Sequence, residues 1–215
     1  MILTISEIVS SIKGEGKNAG YPTTFVKLHG CNLNCSYCRN ECRTGKKKRM
    51  SVQTVLEYIF KMNNHYIEIT GGEPLLQDTT YVLLYDLVDR GYNVTISTNG
   101  SQVIEDCLYA RSYSYCMEIK CPSSKMESKN VYENLENLIM KDEVKFLIAD
   151  AEDYVFAKDI IRKYPTKASY VFSPIVSEDG KHIGKDLAQW ILEDKLQKVR
   201  LGVPIQTLLG INKKH

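Results

Sequence analysis

The sequence of 215 residues lacks a long hydrophobic run and lacks an excess of charge of either sign. No segment approaches the roughly 18 consecutive apolar residues that span a bilayer, and the first residues do not combine a basic start with a long apolar stretch. We therefore expect a cytoplasmic protein with no membrane partner. The 28 Lys and Arg residues nearly balance the 26 Asp and Glu residues, so the net charge predicts no nucleic-acid-binding surface.

Internal repeats, low-complexity tracts and proline-rich linkers are also lacking, so nothing in the sequence marks a domain boundary. Hydrophobic residues make up 43% of the chain and charged residues 25%. These are ordinary values for a globular protein and exclude a disordered or fibrous one. A chain of this length can bury a substantial core. We therefore expect a single domain over residues 1–215.

Short apolar, β-branched runs alternate with segments whose apolar residues recur at helical spacing. The runs predict strands at 24–29, 67–70, 94–97, 115–120, 144–149, 170–173 and 198–203. The helical spacing predicts helices at 51–62, 81–90, 130–141, 152–163 and 187–194. This alternation is typical of an α/β fold with a mostly parallel sheet and right-handed crossovers. About six βα units are too few to close an eight-unit barrel, so we expect a partial, TIM-like barrel.

The seven cysteines indicate metal or redox chemistry more than disulfides, because the chain shows no export signal. Cys31, Cys35 and Cys38 form a C-x3-C-x2-C motif directly after the first predicted strand, at the end of the sheet where catalytic loops converge. Cysteine thiolates are the standard ligands of iron–sulfur clusters. Three of them leave one iron of a [4Fe-4S] cluster open to a small molecule, much as a catalytic zinc site keeps one open position.

A structural zinc site is the alternative interpretation, because Cys31, Cys35, Cys38 and Cys42 together could supply four sulfurs to a tetrahedral metal. Structural zinc sites usually pair two close-spaced motifs that are about a dozen or more residues apart, whereas these thiols all fall within one short segment. The spacing favours the open-site cluster. With zinc, or with a closed cluster, the chain would be a redox sensor or a scaffold rather than an enzyme.

Two further motifs stand at the ends of later strands: Gly71, Gly72 and Glu73 after 67–70, and Ser97, Thr98 and Asn99 at the end of 94–97. Gly71 and Gly72 permit close approach of the backbone, and Glu73 can accept a hydrogen bond from an ammonium group. Together with an aromatic residue directly before the last cysteine, these motifs resemble the signature of the radical S-adenosylmethionine (SAM) superfamily. The resemblance implies that SAM chelates the open iron and is cleaved reductively to a 5′-deoxyadenosyl radical. It implies SAM contacts at Tyr37, Cys38, Arg39, Gly71, Gly72, Glu73, Ser97, Asn99, Glu118, Ile119 and Lys120.

Four longer segments narrow the resemblance: SIKGEG near the start, GYPTTFVKLHGC before the cluster loop, CPSSKM at 121–126 and VRLGVPIQTLLGINKKH at the end. They are similar to the 7-carboxy-7-deazaguanine synthase family nearly end to end, and the chain resembles a diverged, clostridial-like member. These lyases convert 6-carboxy-5,6,7,8-tetrahydropterin to 7-carboxy-7-deazaguanine with loss of ammonia, in queuosine biosynthesis. The resemblance implies a [4Fe-4S] cluster, SAM, Mg²⁺, a flavodoxin- or ferredoxin-type electron donor and a homodimer.

The same resemblance implies pterin contacts at Ile12, Lys13, Gly14, Glu15, Lys27, Thr70 and Pro204. Two of these positions depart from the family pattern, because Lys27 replaces an arginine that grips the substrate carboxylate and Lys13 replaces a glutamine. An ammonium keeps the positive charge but cannot make the bidentate contact of a guanidinium. The affinity for the substrate, or its identity, is therefore open at this stage.

The residues after the third cysteine also depart from the family pattern, which has Asp followed by Thr or Ser as a Mg²⁺ ligand. Asn40 offers a carbonyl oxygen and is the candidate Mg²⁺ ligand, whereas Arg39 could instead supply positive charge toward the substrate carboxylate. These departures leave an alternative open: a radical SAM enzyme that modifies a peptide or activates a glycyl-radical enzyme.

Overall fold

The computed structural model describes residues 1–38, 41–104, 112–177 and 180–211. Its strands are β1 Ile2–Ile12, β2 Pro22–Leu28, β3 Lys48–Ser51, β4 Tyr66–Gly71, β5 Asn93–Thr98, β6 Tyr113–Ile119, β7 Glu143–Ile148, β8 Ser169–Pro174 and β9 Val199–Leu201. Its helices are α1 Glu41–Thr44, α2 Val52–Met62, α3 Thr79–Asp89, α4 Asn134–Asn137, α5 Ala151–Lys163, α6 Gly184–Glu193 and α7 Ile205–Leu208. Over the described ranges, no helix is long and apolar enough to cross a membrane.

All these strands belong to one sheet with the order β3-β1-β2-β4-β5-β6-β7-β8-β9. The part from β2 through β4 to β9 is parallel, with each strand beside the next, so six crossovers join its seven strands. β1 and β3 extend the sheet in antiparallel pairing. The described strands β3 and β9 form opposite edges, so the sheet is open. The predicted partial barrel of about six βα units is confirmed.

The central strands alternate between apolar and polar residues because the two faces of the sheet meet different surroundings. On the outer face, Val26 and Ile69 are fully buried in a core shared with the helices. On the concave face, Lys27, Thr70 and Ser97 line a cavity. A parallel strand buried on both faces would be apolar throughout. The alternation therefore exists because one face of this sheet is a binding surface.

The predicted strands are all present, each within two residues of its expected ends. Ser51 caps α2 as expected, since its hydroxyl accepts a hydrogen bond from the Thr54 N–H at 3.1 Å. Two strands have no counterpart among the predictions. β3 is a charged edge strand of four residues, and β1 pairs antiparallel outside the βα repeat, so neither produces the pattern of a buried parallel strand.

The helix predicted over 130–141 is wrong, because only α4 is helical there. Asn134 at its start accepts a hydrogen bond from the Ile104 N–H at 2.8 Å and donates one to the Gln102 carbonyl at 2.8 Å. Asn137 donates to the Ile104 carbonyl at 3.0 Å. Asparagine side chains that bind neighbouring backbone compete with helix formation, and here they tie the segment to the chain after β5.

Candidate active site

A cavity of about 1110 Å³ lies on the concave face of the sheet, at the loops that follow β2, β4 and β5. The sequence motifs led us to expect a site at this end of the strands. Pockets for one drug-sized ligand measure about 300–1,000 Å³, so this cavity has room for two small molecules side by side.

The predicted cluster cysteines Cys31, Cys35 and Cys38 all line this cavity. The Sγ atom of Cys31 accepts hydrogen bonds from the Leu33 N–H at 3.5 Å and from the Asn99 side-chain amide at 3.7 Å. Burial raises the pKa of the Cys35 thiol, and the nearby Lys120 ammonium opposes that effect. Donors to sulfur and a neighbouring cation stabilise thiolates, so the loop suits an iron–sulfur cluster.

The three cysteine thiols lie near one another, since besides burial both Cys38 and Cys31 contribute to the raised pKa of the Cys35 thiol. Within the described parts of the chain, no group of three or more His, Cys, Asp or Glu side chains is arranged to hold a single metal ion. Each thiolate of a [4Fe-4S] cluster binds a different iron, whereas the ligands of a structural zinc converge on one ion. Cys42 also lines the cavity.

The Gly71–Gly72 segment passes directly against the backbone that leads into the cysteine loop. The Gly72 N–H donates to the Leu28 carbonyl at 3.0 Å, and the next N–H donates to the Gly30 carbonyl at 2.8 Å. A Cβ atom on Gly72 would overlap the Gly30 carbonyl, and Gly71 has a φ of +116°, which side-chain-bearing residues rarely adopt. Glycine is required here because the two loops touch.

Glu73 is fully buried, and it is not one of the residues that line the cavity. Its carboxylate accepts hydrogen bonds from the Leu75 N–H at 2.9 Å, the Thr98 hydroxyl at 2.8 Å and the Asn99 N–H at 2.6 Å. Burial raises the pKa of this carboxyl, and the hydrogen bonds oppose the rise. Its visible role is to join the loop after β4 to the end of β5.

We define the cofactor wall as eight cavity-lining residues at the carboxyl ends of β4 and β5 and in the loops after β2, β4 and β5: Cys31, Cys35, Tyr37, Cys38, Gly71, Gly72, Ser97 and Asn99. Two of its polar side chains are held by neighbours. The Ser97 hydroxyl donates to Glu68 at 2.5 Å, and the Asn99 amide donates to the Asn32 carbonyl oxygen at 3.1 Å. The predicted SAM residues of these loops therefore lie together in space.

Glu118 and Lys120 connect this wall to the end of β6. The Glu118 carboxylate accepts from the Lys120 ammonium at 2.6 Å and from the Tyr37 hydroxyl at 2.9 Å. Burial pushes the pKa of Glu118 upward, but Lys120 and Lys145 outweigh burial and hold it below its usual value. Ile119, between them, points to the opposite face and is fully buried in the core. Only its backbone could contact a ligand.

The cavity also carries paired charges. We define the charged floor as four lysine–glutamate pairs: Lys13–Glu68, Lys27–Glu7, Lys120–Glu118 and Lys145–Glu15. At least one member of each pair lines the cavity. The Lys27–Glu7 pair is half-exposed at 2.7 Å, whereas both partners of Lys13–Glu68 are buried.

Three members of the charged floor, Glu7, Glu68 and Lys145, are absent from the sequence-based set of site residues. Burial would lower the pKa of Lys145, but Glu15 at 2.5 Å and other neighbours raise it above its usual value. A signal exists in the sequence, because Glu68 is the single charge of β4 and Lys145 lies between apolar residues of β7. A charge at such a position needs a partner, and only the folded sheet supplies it.

The predicted substrate residues near the start of the chain lie under the C-terminal segment. The Gln206 side chain donates to the Ile12 carbonyl at 2.5 Å, and the Ile205 N–H donates to the Gly14 carbonyl at 3.2 Å. Ile12 and Gln206 line the cavity, whereas Gly14 and Pro204 are not among its lining residues. The C-terminal segment therefore holds the SIKGEG loop in place. The predicted contacts at Arg39 and Asn40 lie outside the described residues.

Comparison with known proteins agrees with this site. The Radical SAM superfamily model matches residues 25–114. The curated 7-carboxy-7-deazaguanine synthase of Methanospirillum hungatei is 38% identical over 210 residues, which are 97% of this chain and 86% of that protein. The synthase of Koribacter versatilis is 35% identical, covering 94% of each chain.

Among solved structures, QueE from Escherichia coli matches with a TM-score of 0.74 over 94% of this chain and 95% of that one. At 18% sequence identity, this structural match supports a common fold and nothing further. The sequence relatives carry the family assignment, because more than a third of the residues agree with the Methanospirillum hungatei protein over nearly the whole chain. This chain belongs to the 7-carboxy-7-deazaguanine synthase family of the radical SAM superfamily, whose cofactors are a [4Fe-4S] cluster and SAM.

Proposed function

We propose that this chain is a 7-carboxy-7-deazaguanine synthase. It contracts the ring of 6-carboxy-5,6,7,8-tetrahydropterin to give 7-carboxy-7-deazaguanine with release of ammonia, a lyase reaction of queuosine biosynthesis. The observation that carries the proposal is that the three-cysteine loop and the charged floor face one cavity, in a chain related to curated synthases over nearly its whole length. We also propose that residues 1–215 act as one domain.

Cys31, Cys35 and Cys38 would hold the cluster, and the cavity beside them would hold SAM. When bound, the cluster and SAM together would supply the radical chemistry that the ring contraction needs. The protein's main task is to position the reactants, because a displacement of a reacting atom by about 1 Å lowers the rate on the order of 100-fold. The contact between Gly72 and Gly30 fixes the two cofactor loops relative to each other.

The charged floor orients the pterin. Lys27 is half-exposed and is the member available to the substrate carboxylate, in competition with Glu7. The buried carboxylate of Glu68 is shared between Lys13 and Ser97, which fixes its position. Such a carboxylate is suited to accept hydrogen bonds from the amine and N–H groups of a pterin edge. The paired charges keep the floor close to neutral. This limits the desolvation free energy that is lost when a flat, polar ring covers it.

The proposal also includes Mg²⁺, with Asn40 as its ligand, a flavodoxin- or ferredoxin-type electron donor, a homodimer and a cytoplasmic location. The metal requirement is tested by assaying the enzyme in EDTA-treated, metal-free buffer. Strict dependence on added Mg²⁺ would support Asn40 as a ligand. Full activity without metal would instead support Arg39 as the source of positive charge toward the substrate carboxylate.

The proposed reaction is tested by an anaerobic assay of the cluster-loaded protein with SAM, dithionite and 6-carboxytetrahydropterin, followed by mass spectrometry. Formation of 7-carboxy-7-deazaguanine is the expected result. If only 5′-deoxyadenosine forms, the radical SAM chemistry stands and the substrate is different, such as a peptide or a glycyl-radical enzyme. If neither product forms although the cluster is intact, the assignment as an enzyme is wrong.

A further inference from the structure

A basic surface lies beside the cysteine loop. Arg43, Lys46, Lys47, Lys48 and Arg49 place five cations within seven residues, and that stretch of sequence holds no acidic residue. We call these five residues the basic ridge, and all five are exposed. The whole chain has a net charge of only +2, so the ridge is a local concentration of positive charge.

The register of the sheet places the ridge close to the cluster loop. Lys48 pairs with Ile5 across β3 and β1, and Ile5 pairs with Leu28 across β1 and β2. Adjacent strands lie about 4.8 Å apart, so the backbone of Lys48 is about 10 Å from that of Leu28. Leu28 precedes the first cluster cysteine, Cys31, by three residues. The ridge therefore stands at the end of the sheet that carries the cluster.

The short helix α1 connects the ridge to the cavity itself. The Gly30 N–H donates to the Cys42 carbonyl at 2.7 Å, which ties α1 to the residue before the cysteine loop. Cys42 and Arg43 line the same cavity as the three cluster cysteines. A protein that covered the basic ridge would thus rest against the rim of the cluster site.

We propose that the basic ridge docks an acidic one-electron carrier protein of the flavodoxin type, which reduces the cluster. This rests on the proposed function, which requires a reduced cluster. One electron leaves the reduced carrier, which is oxidised by one electron, and the cluster is reduced by one electron; no bond forms or breaks. Complementary charge accelerates and orients the encounter of two proteins, and this effect weakens with salt.

Protection of the sheet edge is the other role that such lysines can have. Lysines on an edge strand discourage pairing with another chain, and Lys48 and Arg49 lie on the edge strand β3. Lys46 and Lys47 precede β3 and take no part in its ladder. Edge protection does not account for them, so these two residues are the ones to change.

The test compares Lys46→Glu/Lys47→Glu with a control variant of equal charge change, Lys167→Glu/Lys198→Glu. The control lysines are exposed and lie within two residues before the starts of β8 and β9, at the opposite end of the parallel strands. The cluster-loaded full chain is used throughout. Two quantities are measured at low and high salt: the Kd for a purified flavodoxin, and the turnover rate with reduced flavodoxin or with dithionite.

The ridge variant is expected to bind flavodoxin about 10- to 100-fold more weakly at low salt, with a smaller difference at high salt. Its dithionite-driven rate stays within about twofold of wild type, because dithionite needs no docking surface. The control variant should have a Kd for flavodoxin near that of wild type. The neutral Lys46→Gln/Lys47→Gln variant should have a Kd between those of wild type and the ridge variant.

Two results would overturn the proposal. One is an unchanged Kd and an unchanged flavodoxin-driven rate in the ridge variant at low salt. The other is an unchanged Kd with equal losses of the flavodoxin- and dithionite-driven rates, which would place these lysines in the cluster site instead. Absence of the deazaguanine product with dithionite in every variant, with salt-dependent flavodoxin binding retained, would count against the proposed substrate and leave the docking surface standing.

Discussion

The cofactor wall and the charged floor line the same cavity, but the chain builds them differently. The wall comes from three short contiguous motifs in loops, and its shape depends on backbone contacts such as that between Gly72 and Gly30. The floor comes from charged residues on strands or near their ends, and three of its four pairs join different parts of the chain; Lys13 and Glu68 are 55 residues apart. The wall is therefore sensitive to any change of shape, whereas the floor depends on charge balance.

If the wall holds the cluster, loss of one cluster thiol should have the largest effect. Cys35→Ala is expected to lose the iron–sulfur absorbance and all detectable product, because a cluster with two protein thiolates is not retained. Cys121→Ala is the matched control, since Cys121 is buried in the core and is not part of the cavity lining. The control should keep its cluster and lose about 1 kcal/mol of stability. Normal iron content in Cys35→Ala would contradict the assignment.

The shape of the wall is tested by Gly72→Ala. The added methyl group overlaps the Gly30 carbonyl, so the two loops must separate. A displacement of about 1 Å in a site that positions reactants lowers kcat/KM on the order of 100-fold. Gly91→Ala is the control, because its φ of +81° disfavours alanine whereas nothing lies within 4 Å of the new Cβ, so it adds backbone strain without an overlap. The control should cost about 1 kcal/mol of stability and leave kcat/KM near wild type.

The same contrast explains how much could be predicted from the sequence. The strands and the wall motifs were predictable, because alternating apolar runs and closely spaced Cys or Gly residues are local patterns. The α/β class and the partial barrel followed from the strand–helix alternation. Glu73 shows the limit of a motif: its position was predicted, but its engagement with Thr98 and Asn99 depends on the neighbouring strand.

The floor was only partly predictable, because its pairs form between strands whose register is a tertiary property. Lys13 and Lys27 were predicted as substrate contacts, but the sequence does not reveal that Glu68 and Glu7 already bind them. The segment 130–141 illustrates a second cause. Its apolar spacing suggests a helix, whereas the backbone contacts of Asn134 and Asn137 limit the helix to α4.

The dependence of the floor on charge balance is tested by Glu118→Gln, which leaves buried Lys120 without a carboxylate. Loss of one partner of a buried pair should cost about 3 kcal/mol in the free energy of unfolding at neutral pH. The pKa of Glu118 is lowered in the folded protein. Its contribution to the free energy of unfolding is therefore complete above the ordinary pKa of 4.5, and it is lost as the pH falls from there through the lower folded pKa. The difference from wild type should therefore shrink in acid.

Urea unfolding of the cluster-free protein from about pH 7 to about pH 3, below the ordinary pKa of a glutamate, measures this difference. Exposed Glu57 on α2 provides the control, and Glu57→Gln should stay within about 0.5 kcal/mol of wild type at each pH. A cost for Glu118→Gln that is independent of pH would mean that packing, rather than charge pairing, sets the stability of this part of the floor.

The smallest expected effect comes from Lys27→Arg, which restores the residue type typical of the family without changing the charge. A guanidinium can bind Glu7 and still present a second pair of donors to a substrate carboxylate, whereas the Lys27 ammonium is already engaged by Glu7 at 2.7 Å. We expect the KM for 6-carboxytetrahydropterin to fall about three- to tenfold with kcat unchanged, measured by initial rates under saturating SAM. Lys158→Arg, in the exposed pair with Asp194, should leave KM unchanged. A KM that rises in Lys27→Arg would show that this part of the floor is shaped around the lysine, and that the departure from the family pattern is an adaptation to a different ligand.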